Sequence, residues 1–160
     1  MRSRRELTEH RRDREFMAFT GGAAGRLMHV AMLLTGDDRK AAEELLCRAL
    51  SRTYLNWLRL RGEDPYAYTR QELASAYLRR AGTRWLHREP KDGRLSRLTP
   101  QERLILVLRL YEGVAEEQVA AMLGLVPDRI RAICTRASVI MRSAPASENV
   151  TGSTAARGTP

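Results

Sequence analysis

Residues 116–136, EEQVAAMLGLVPDRIRAICTR, have the pattern of two short helices joined by a tight turn. Gly124 follows the first helix, and glycine adopts the left-handed turn conformation at the lowest cost. Pro127 stands at the first turn of the next helix, where its missing N–H costs nothing. Ala120 is small where the two backbones would cross. Apolar residues fall where the helices must pack: Val119, Leu123, Leu125, Ile130 and Ile133. We therefore predict a helix-turn-helix.

The predicted second helix turns a polar face away from the first helix. That face carries Asp128, Arg129, Arg131, Thr135 and Arg136. Guanidinium groups in this position can contact phosphates or guanine edges in a DNA groove. An aspartate there can accept a hydrogen bond from a cytosine amino group. The pattern favours DNA binding, and the alternative is a helical hairpin of purely structural role.

The composition favours a polyanionic partner and argues against catalysis. The 160 residues carry a formal net charge of +9 and are 43% hydrophobic, enough for a packed core. Lys40 and Lys91 are the only lysines, so the positive charge is nearly all arginine, which suits bidentate phosphate contacts. His10, His29 and His87 show no metal-ligand spacing. The sequence has no nucleophile–base pair and no phosphate-binding glycine loop, so we expect no enzyme, cofactor or metal.

The cysteines and the N-terminus indicate the compartment. Cys47 and Cys134 are few and unpatterned, which indicates a reducing cytoplasm rather than a disulfide framework. The stretch MRSRRELTEHRRDRE lacks the apolar core of a secretory signal. We find no apolar run long enough to predict a bilayer span. We expect a cytoplasmic, nucleoid-associated protein without membrane insertion.

Helical periodicity recurs throughout and no segment alternates with period two for long, which predicts an all-α protein of two small modules. We predict a charged, frayed lead-in (1–12), a first module (13–88), a linker (89–98), a helix-turn-helix module (99–142) and a disordered tail (143–160). Within the first module we expect one helix or two over 13–34, interrupted at Gly21 and Gly22, and further helices near 38–60 and 65–87. The second module opens with a predicted capping box, Thr99 and Glu102 around Pro100.

This arrangement resembles the extracytoplasmic-function (ECF) sigma factors of bacterial RNA polymerase, most closely the short actinobacterial type. The resemblance covers most of residues 13–142. It depends on five motifs in order: 33–37 (LLTGD), 42–46 (AEELL), 64–70 (DPYAYTR), 98–103 (LTPQER) and 107–112 (VLRLYE). It implies that the first module binds core RNA polymerase and opens the −10 promoter element. The second module would read the −35 element as a duplex.

The resemblance assigns the helix at 38–60 to polymerase binding, through the clamp coiled coil of the large subunit. The residues implied are Glu43, Glu44, Leu45, Arg48 and Arg52. Cys47 and Arg48 depart from the glutamine and second acid of the family, and charge reversal at a close contact can cost several kcal/mol. An equally simple interpretation is that Glu43 and Glu44 stabilise the positive end of the helix dipole.

The resemblance assigns the helix at 65–87 to promoter DNA. The residues implied are Tyr66, Ser75, Arg79, Arg80 and Arg84. Arginines at 80, 84 and 88 repeat every four residues and would form one stripe, and aromatic residues such as Tyr66 could stack on unpaired bases. The alternative is a solvated basic face above a core, which we prefer for Tyr77. Ser75 replaces the family's usual asparagine, and Val126 replaces a serine cap at the recognition helix.

Three functions remain open on the sequence. The first is an ECF-type sigma factor that is not an enzyme, with core RNA polymerase, promoter DNA and possibly an anti-sigma factor as partners. The second is a degenerate sigma-like protein that binds an anti-sigma factor or polymerase without initiating transcription. The third is a stand-alone helix-turn-helix regulator, which would need a dimer to span two half-sites. No dimer helix is visible in the sequence.

Overall fold

The computed structural model describes residues 3–84 and 97–143, and within these ranges every regular element is helical. This confirms the all-α prediction. The elements are α1 (Arg4–Thr35), α2 (Arg39–Asn56), a 3₁₀ turn (Trp57–Arg59), α3 (Pro65–Arg84), α4 (Pro100–Leu106), a π-helical turn (Val107–Tyr111), α5 (Glu116–Leu123) and α6 (Pro127–Ser143). The predicted linker lies outside the described residues except for 97–98, and the predicted tail does so except for Ser143, which ends α6.

Helix α1 begins earlier than expected, because residues 4–12 of the predicted lead-in are helical. Of the two alternatives left open over 13–34, one helix or two, the structure has one, without a break at Gly21 and Gly22. Its start is fixed by Ser3, whose hydroxyl accepts from the Arg5 N–H at 3.2 Å, while Glu6 accepts from the Ser3 N–H at 3.0 Å. This is a capping box, which satisfies two of the first free N–H groups. Cooperative hydrogen bonding on both sides carries the helix through the glycine pair.

An aromatic cluster holds the N-terminal half of α1 against the end of α2. The Phe16 ring lies edge-on to Trp57 at a centroid distance of 5.4 Å and to Tyr54 at 5.1 Å. The Tyr54 hydroxyl donates to Asp13 at 2.7 Å. These contacts anchor α1 before the glycine pair, which is the physical reason that the predicted interruption is absent.

The capping box predicted for α4 is confirmed, and two other helix boundaries are also fixed by neighbouring residues. Helix α1 ends at Gly36 in the left-handed conformation (φ 62°). Asp38 caps α2 by accepting from the Ala41 N–H at 3.1 Å. Thr99 and Glu102 form the predicted capping box of α4, with bonds of 3.0 and 3.2 Å. Each of these signals acts within four residues, so the local sequence was sufficient to find them.

The described parts of the two modules pack on one another and share a core. Leu27, Leu34, Leu45 and Leu73 of the first three helices are buried in the same apolar cluster as the second-module residues. Those residues include Leu104, Ile105, Leu108, Val119 and Ile130. We predicted two modules joined by a short linker. In the structure the described parts of the modules also contact each other directly, because α1 and α3 pack against α4 and α1 packs against the π-helical turn.

One helix in the described part of the chain, α1, is long and apolar enough by length and composition to cross a membrane. This corrects the expectation that no such stretch exists. Core helices of soluble proteins can have the same length and composition. Its buried residues Ala23, Leu27, Val30, Ala31 and Leu34 belong to the shared protein core. That packing gives α1 a place in the fold without a membrane.

Candidate nucleic-acid interface

The turn between α5 and α6 has the geometry that the sequence predicts. Gly124 is left-handed (φ 66°, ψ 32°) and its N–H donates to the Ala120 carbonyl. The Leu125 N–H donates to the same carbonyl at 2.9 Å. Val119, Ala120 and Ile130 are buried at the crossing of the two helices. The packing fixes α6 relative to α5 and leaves the opposite side of α6 to solvent.

The predicted outward residues of α6 are all exposed: Asp128, Arg129, Arg131, Thr135 and Arg136. Several of them already have partners. Arg131 lies 3.3 Å from both Glu116 and Asp128, and the hydrogen bond to Glu116 is the main cause of the raised pKa of its guanidinium. Arg136 lies 3.6 Å from Glu102. Arg129 has no ion pair within the described ranges, so it is the arginine of this face most available to an added anion.

The start of α6 lacks a side-chain cap at Val126. This side chain is 66% exposed and has no hydrogen-bond acceptor. The Val126 carbonyl accepts from the N–H groups of Arg129 (3.0 Å) and Ile130 (3.3 Å), so the helix still closes its first turn. Uncapped N–H groups at a helix start are suited to bind an anion such as a phosphate. The Asp128 carboxylate beside them opposes that binding.

The second module matches a known family. Residues 94–142 match the family described as Sigma-70, region 4. This part of the chain is similar to sigma-70 region 4 domains. Such a domain is a non-enzymatic DNA-binding transcription factor domain with a helix-turn-helix, as we expected. Sigma-70 region 4 domains bind promoter DNA and core RNA polymerase. The family match covers under a third of the chain. No curated protein gives a significant match to the chain.

On α2, the structure divides the five residues assigned to polymerase. Glu43, Arg48 and Arg52 are exposed. Leu45 is 2% exposed and packs in the core, so it cannot touch a partner, and its assignment to the surface was wrong. Its position in the motif reflects packing, because apolar motif residues on a helix serve the core.

The two acids of α2 are paired with arginines of this same chain. Glu43 lies 2.9 Å from Arg39, one helical turn earlier. Glu44 lies 2.7 Å from Arg80 on α3. The Glu44–Arg80 pair joins α2 to α3, so both side chains have a structural role that neither the polymerase nor the DNA assignment foresaw.

On α3, the structure describes only part of the predicted basic stripe. Arg79 is exposed, whereas the Arg80 side chain is 18% exposed and held by Glu44. Arg84 is the last residue of α3, and the third stripe position, 88, lies outside the described residues. Ser75 is half-buried, and Tyr77 is buried, in agreement with the core interpretation preferred for it.

Tyr66, predicted to face DNA, instead takes part in a charged network that sequence analysis missed. Its hydroxyl donates to Glu112 Oε1 at 3.0 Å. Arg26 Nε donates to the same oxygen at 3.0 Å, and Arg70 Nη1 donates to Oε2 at 3.2 Å. Burial first, and then the bond to Glu112, raise the pKa of the Tyr66 hydroxyl far above its ordinary value. We call these four residues the Glu112 network.

Two further contacts support the Glu112 network where the modules meet. Arg103 Nη1 donates to the Leu34 carbonyl at 3.0 Å, and so binds the negative end of α1. The rings of His29 and Tyr111 stack at 4.9 Å with an angle of 9°. The partners in this interface lie 42 to 86 residues apart. No local pattern could have found them, although Glu112 and Arg103 both belong to motifs that carried the resemblance.

Proposed function

We propose that the protein is an ECF-type sigma factor that directs bacterial RNA polymerase to promoters and acts in the cytoplasm. The observation that carries this proposal is the region 4 helix-turn-helix with an exposed basic face on α6. The preceding three-helix module supports it, because α2 presents exposed charge on the side away from the core. The proposal includes an anti-sigma factor as a candidate further partner.

In this proposal the exposed residues of α6 read the −35 element. Arg129 and Arg131 contact phosphates or guanine edges, Asp128 and Thr135 contact base edges, and Arg136 contacts the backbone. Arg131 is paired with Glu116 and Asp128, so it can contribute to DNA affinity only if both ion pairs are broken. Arg129 therefore makes the larger contribution to affinity.

The exposed residues of α2 form the proposed polymerase-binding surface. With Glu43 and Glu44 both paired inside the chain, Arg48 and Arg52 dominate the charge there. The proposed contact on the polymerase is therefore acidic. Arg79 and Arg84 of α3 are the residues we propose for the −10 element, together with Ser75 and, once it is released, Tyr66.

One observation favours the second candidate, a sigma-like protein that does not initiate transcription. Arg80 and Tyr66, which the resemblance assigns to promoter DNA, are both engaged within the protein. A protein that kept these contacts on the polymerase would dock without melting DNA. Promoter opening in a reconstituted reaction separates the two candidates.

The test is co-elution of the full-length protein with core bacterial RNA polymerase on a sizing column. We expect the native protein to co-elute and the double variant Arg48→Glu, Arg52→Glu to be lost from the complex. Both side chains are exposed, so the variant retains its fold. Glu44 and Leu45 are unsuitable for this test, because changing them disturbs the α2–α3 contact or the core.

The matched control is the double variant Arg5→Glu, Arg14→Glu, which makes the same charge change on α1, where both side chains are exposed. It should co-elute as the native protein does. Absence of a complex with folded native protein would reject the sigma factor and leave a stand-alone DNA-binding protein. Equal loss in the control would show a general charge effect rather than a surface on α2.

A further inference from the structure

The Glu112 network is a carboxylate enclosed by donors from the other module. The Glu112 side chain is 0% exposed, and both of its oxygens are bonded to Arg26, Tyr66 or Arg70. All three donors belong to α1 and α3, whereas Glu112 follows the π-helical turn of the second module. Seen from the first module alone, the three side chains form a site for an anion, and Glu112 is the anion that occupies it.

The chemistry of this site fits a phosphate as well as a carboxylate. Two guanidinium groups and a phenol hydroxyl offer several N–H and O–H donors, and arginine forks match phosphate oxygens. The buried Arg70 Nε has no acceptor among the described residues, so the site has a donor that the carboxylate does not use. A phosphate, with more oxygens, could engage it.

Two of the three donors, Arg26 and Tyr66, also line an open cleft. A cleft of about 460 Å³ lies beside Arg26 and Tyr66 and is lined mainly by small or apolar residues of α1 and the start of α3. Its lining includes Phe19, Gly22 and Pro65. Asp64 also lines it and accepts from the Tyr66 N–H at 2.9 Å. The cleft leaves room for atoms attached to a bound phosphate.

We propose that Arg26, Tyr66 and Arg70 form a phosphate-binding site for single-stranded DNA, and that Glu112 occupies it when the two modules are packed together. DNA is favoured as the source of the phosphate because the chain is basic, at +9, and carries a DNA-binding domain. Binding of the DNA phosphate and packing of the modules then exclude each other, since both need the same three donors. This inference rests on the proposed function for its choice of DNA.

The test compares Glu112→Gln with the native protein in binding a labelled single-stranded DNA. Glutamine has nearly the same shape but no charge, so the donors are released more readily. If the packed form holds about nine-tenths of the native molecules, opening raises the affinity about tenfold. Small-angle scattering should show a larger radius of gyration. The control Glu9→Gln makes the same charge change at an exposed side chain and should leave both quantities near the native values.

A second variant separates the site from mere opening. Adding Arg70→Gln to Glu112→Gln should cancel the gain in affinity while the molecule stays expanded. An expanded Glu112→Gln protein that binds DNA no more tightly would overturn the proposal, as would a variant that neither expands nor binds more tightly. If the gain in DNA affinity of Glu112→Gln persisted after Arg70→Gln was added, that result would also overturn the proposal.

Two measurements do not depend on the Glu112 variant. Single-stranded DNA should expand the native protein, and Arg26→Gln, at a side chain that is 55% exposed, should weaken that binding. Inorganic phosphate at matched ionic strength distinguishes the source. Expansion by phosphate alone to the same extent as by DNA would show a free-phosphate site and overturn the assignment to DNA. Polymerase co-elution and duplex binding through α6 are independent of these results, so failure of the sigma proposal is distinguishable from failure of this one.

Discussion

Replacing Gly124 by alanine should destabilise the helix-turn-helix by an amount set by backbone conformation alone. Gly124 has φ 66° and ψ 32°, and a Cβ added there would meet nothing within 4 Å. No steric clash therefore contributes. An L-residue in the left-handed region costs about 1–2 kcal/mol, and alanine recovers about 0.4–1 kcal/mol by restricting the unfolded chain. The net loss in the free energy of unfolding should be about 1 kcal/mol.

The matched control is the same substitution at Gly21 in the middle of α1. Gly21 is helical, and an added Cβ there would also meet nothing within 4 Å. Alanine should stabilise this position by about 0.5–1 kcal/mol. Urea unfolding followed by circular dichroism measures both changes. If Gly124→Ala were as stabilising as Gly21→Ala, the left-handed turn between α5 and α6 would be refuted.

Two further predictions concern the assignment of surfaces. Leu45→Ala should lower the free energy of unfolding by about 2–5 kcal/mol because the side chain is buried. Leu55→Ala, at a side chain that is 73% exposed, should change it by less than about 0.5 kcal/mol. Equal effects of the two substitutions in urea unfolding would show that the opposite face of α2 packs in the core. Arg129→Ala should weaken duplex DNA binding and reduce the slope of log affinity against log salt by about 0.9, as for one lost phosphate contact. Fluorescence anisotropy over a salt series measures this slope, and an unchanged slope would remove Arg129 from the DNA interface.

The features predictable from the sequence are those whose determinants lie close together in the chain. The turn at Gly124 and the capping box of Thr99 and Glu102 are specified by a few neighbouring residues, and the structure reproduces both. The exposure of the polar α6 residues was also predictable, because helical periodicity fixes which side chains share a face. Local chemistry thus determined the elements and one candidate binding face.

Periodicity alone could not distinguish a solvated charge from a paired one. Arg80 and Glu44 belong to different helices, and the sequence assigned one to DNA and the other to polymerase. In the fold they lie 2.7 Å apart. Their contact depends on how α2 and α3 pack, which a pattern within either helix does not specify. Leu45 was misassigned for a related reason, since a family motif records both binding residues and the core residues beneath them.

The packing of the modules implies an order in which the two proposed DNA sites become available. The α6 face is exposed while the modules are together, and Arg129 has no ion pair in the described part of the chain. The Arg26, Tyr66 and Arg70 donors are occupied by Glu112 in that same form. Duplex DNA can therefore bind the second module before the first module is released, whereas single-stranded DNA must displace a buried carboxylate. Because separating a buried carboxylate from its cations is costly unless another anion replaces it, we infer that duplex recognition comes first and that single-strand capture follows the parting of the modules.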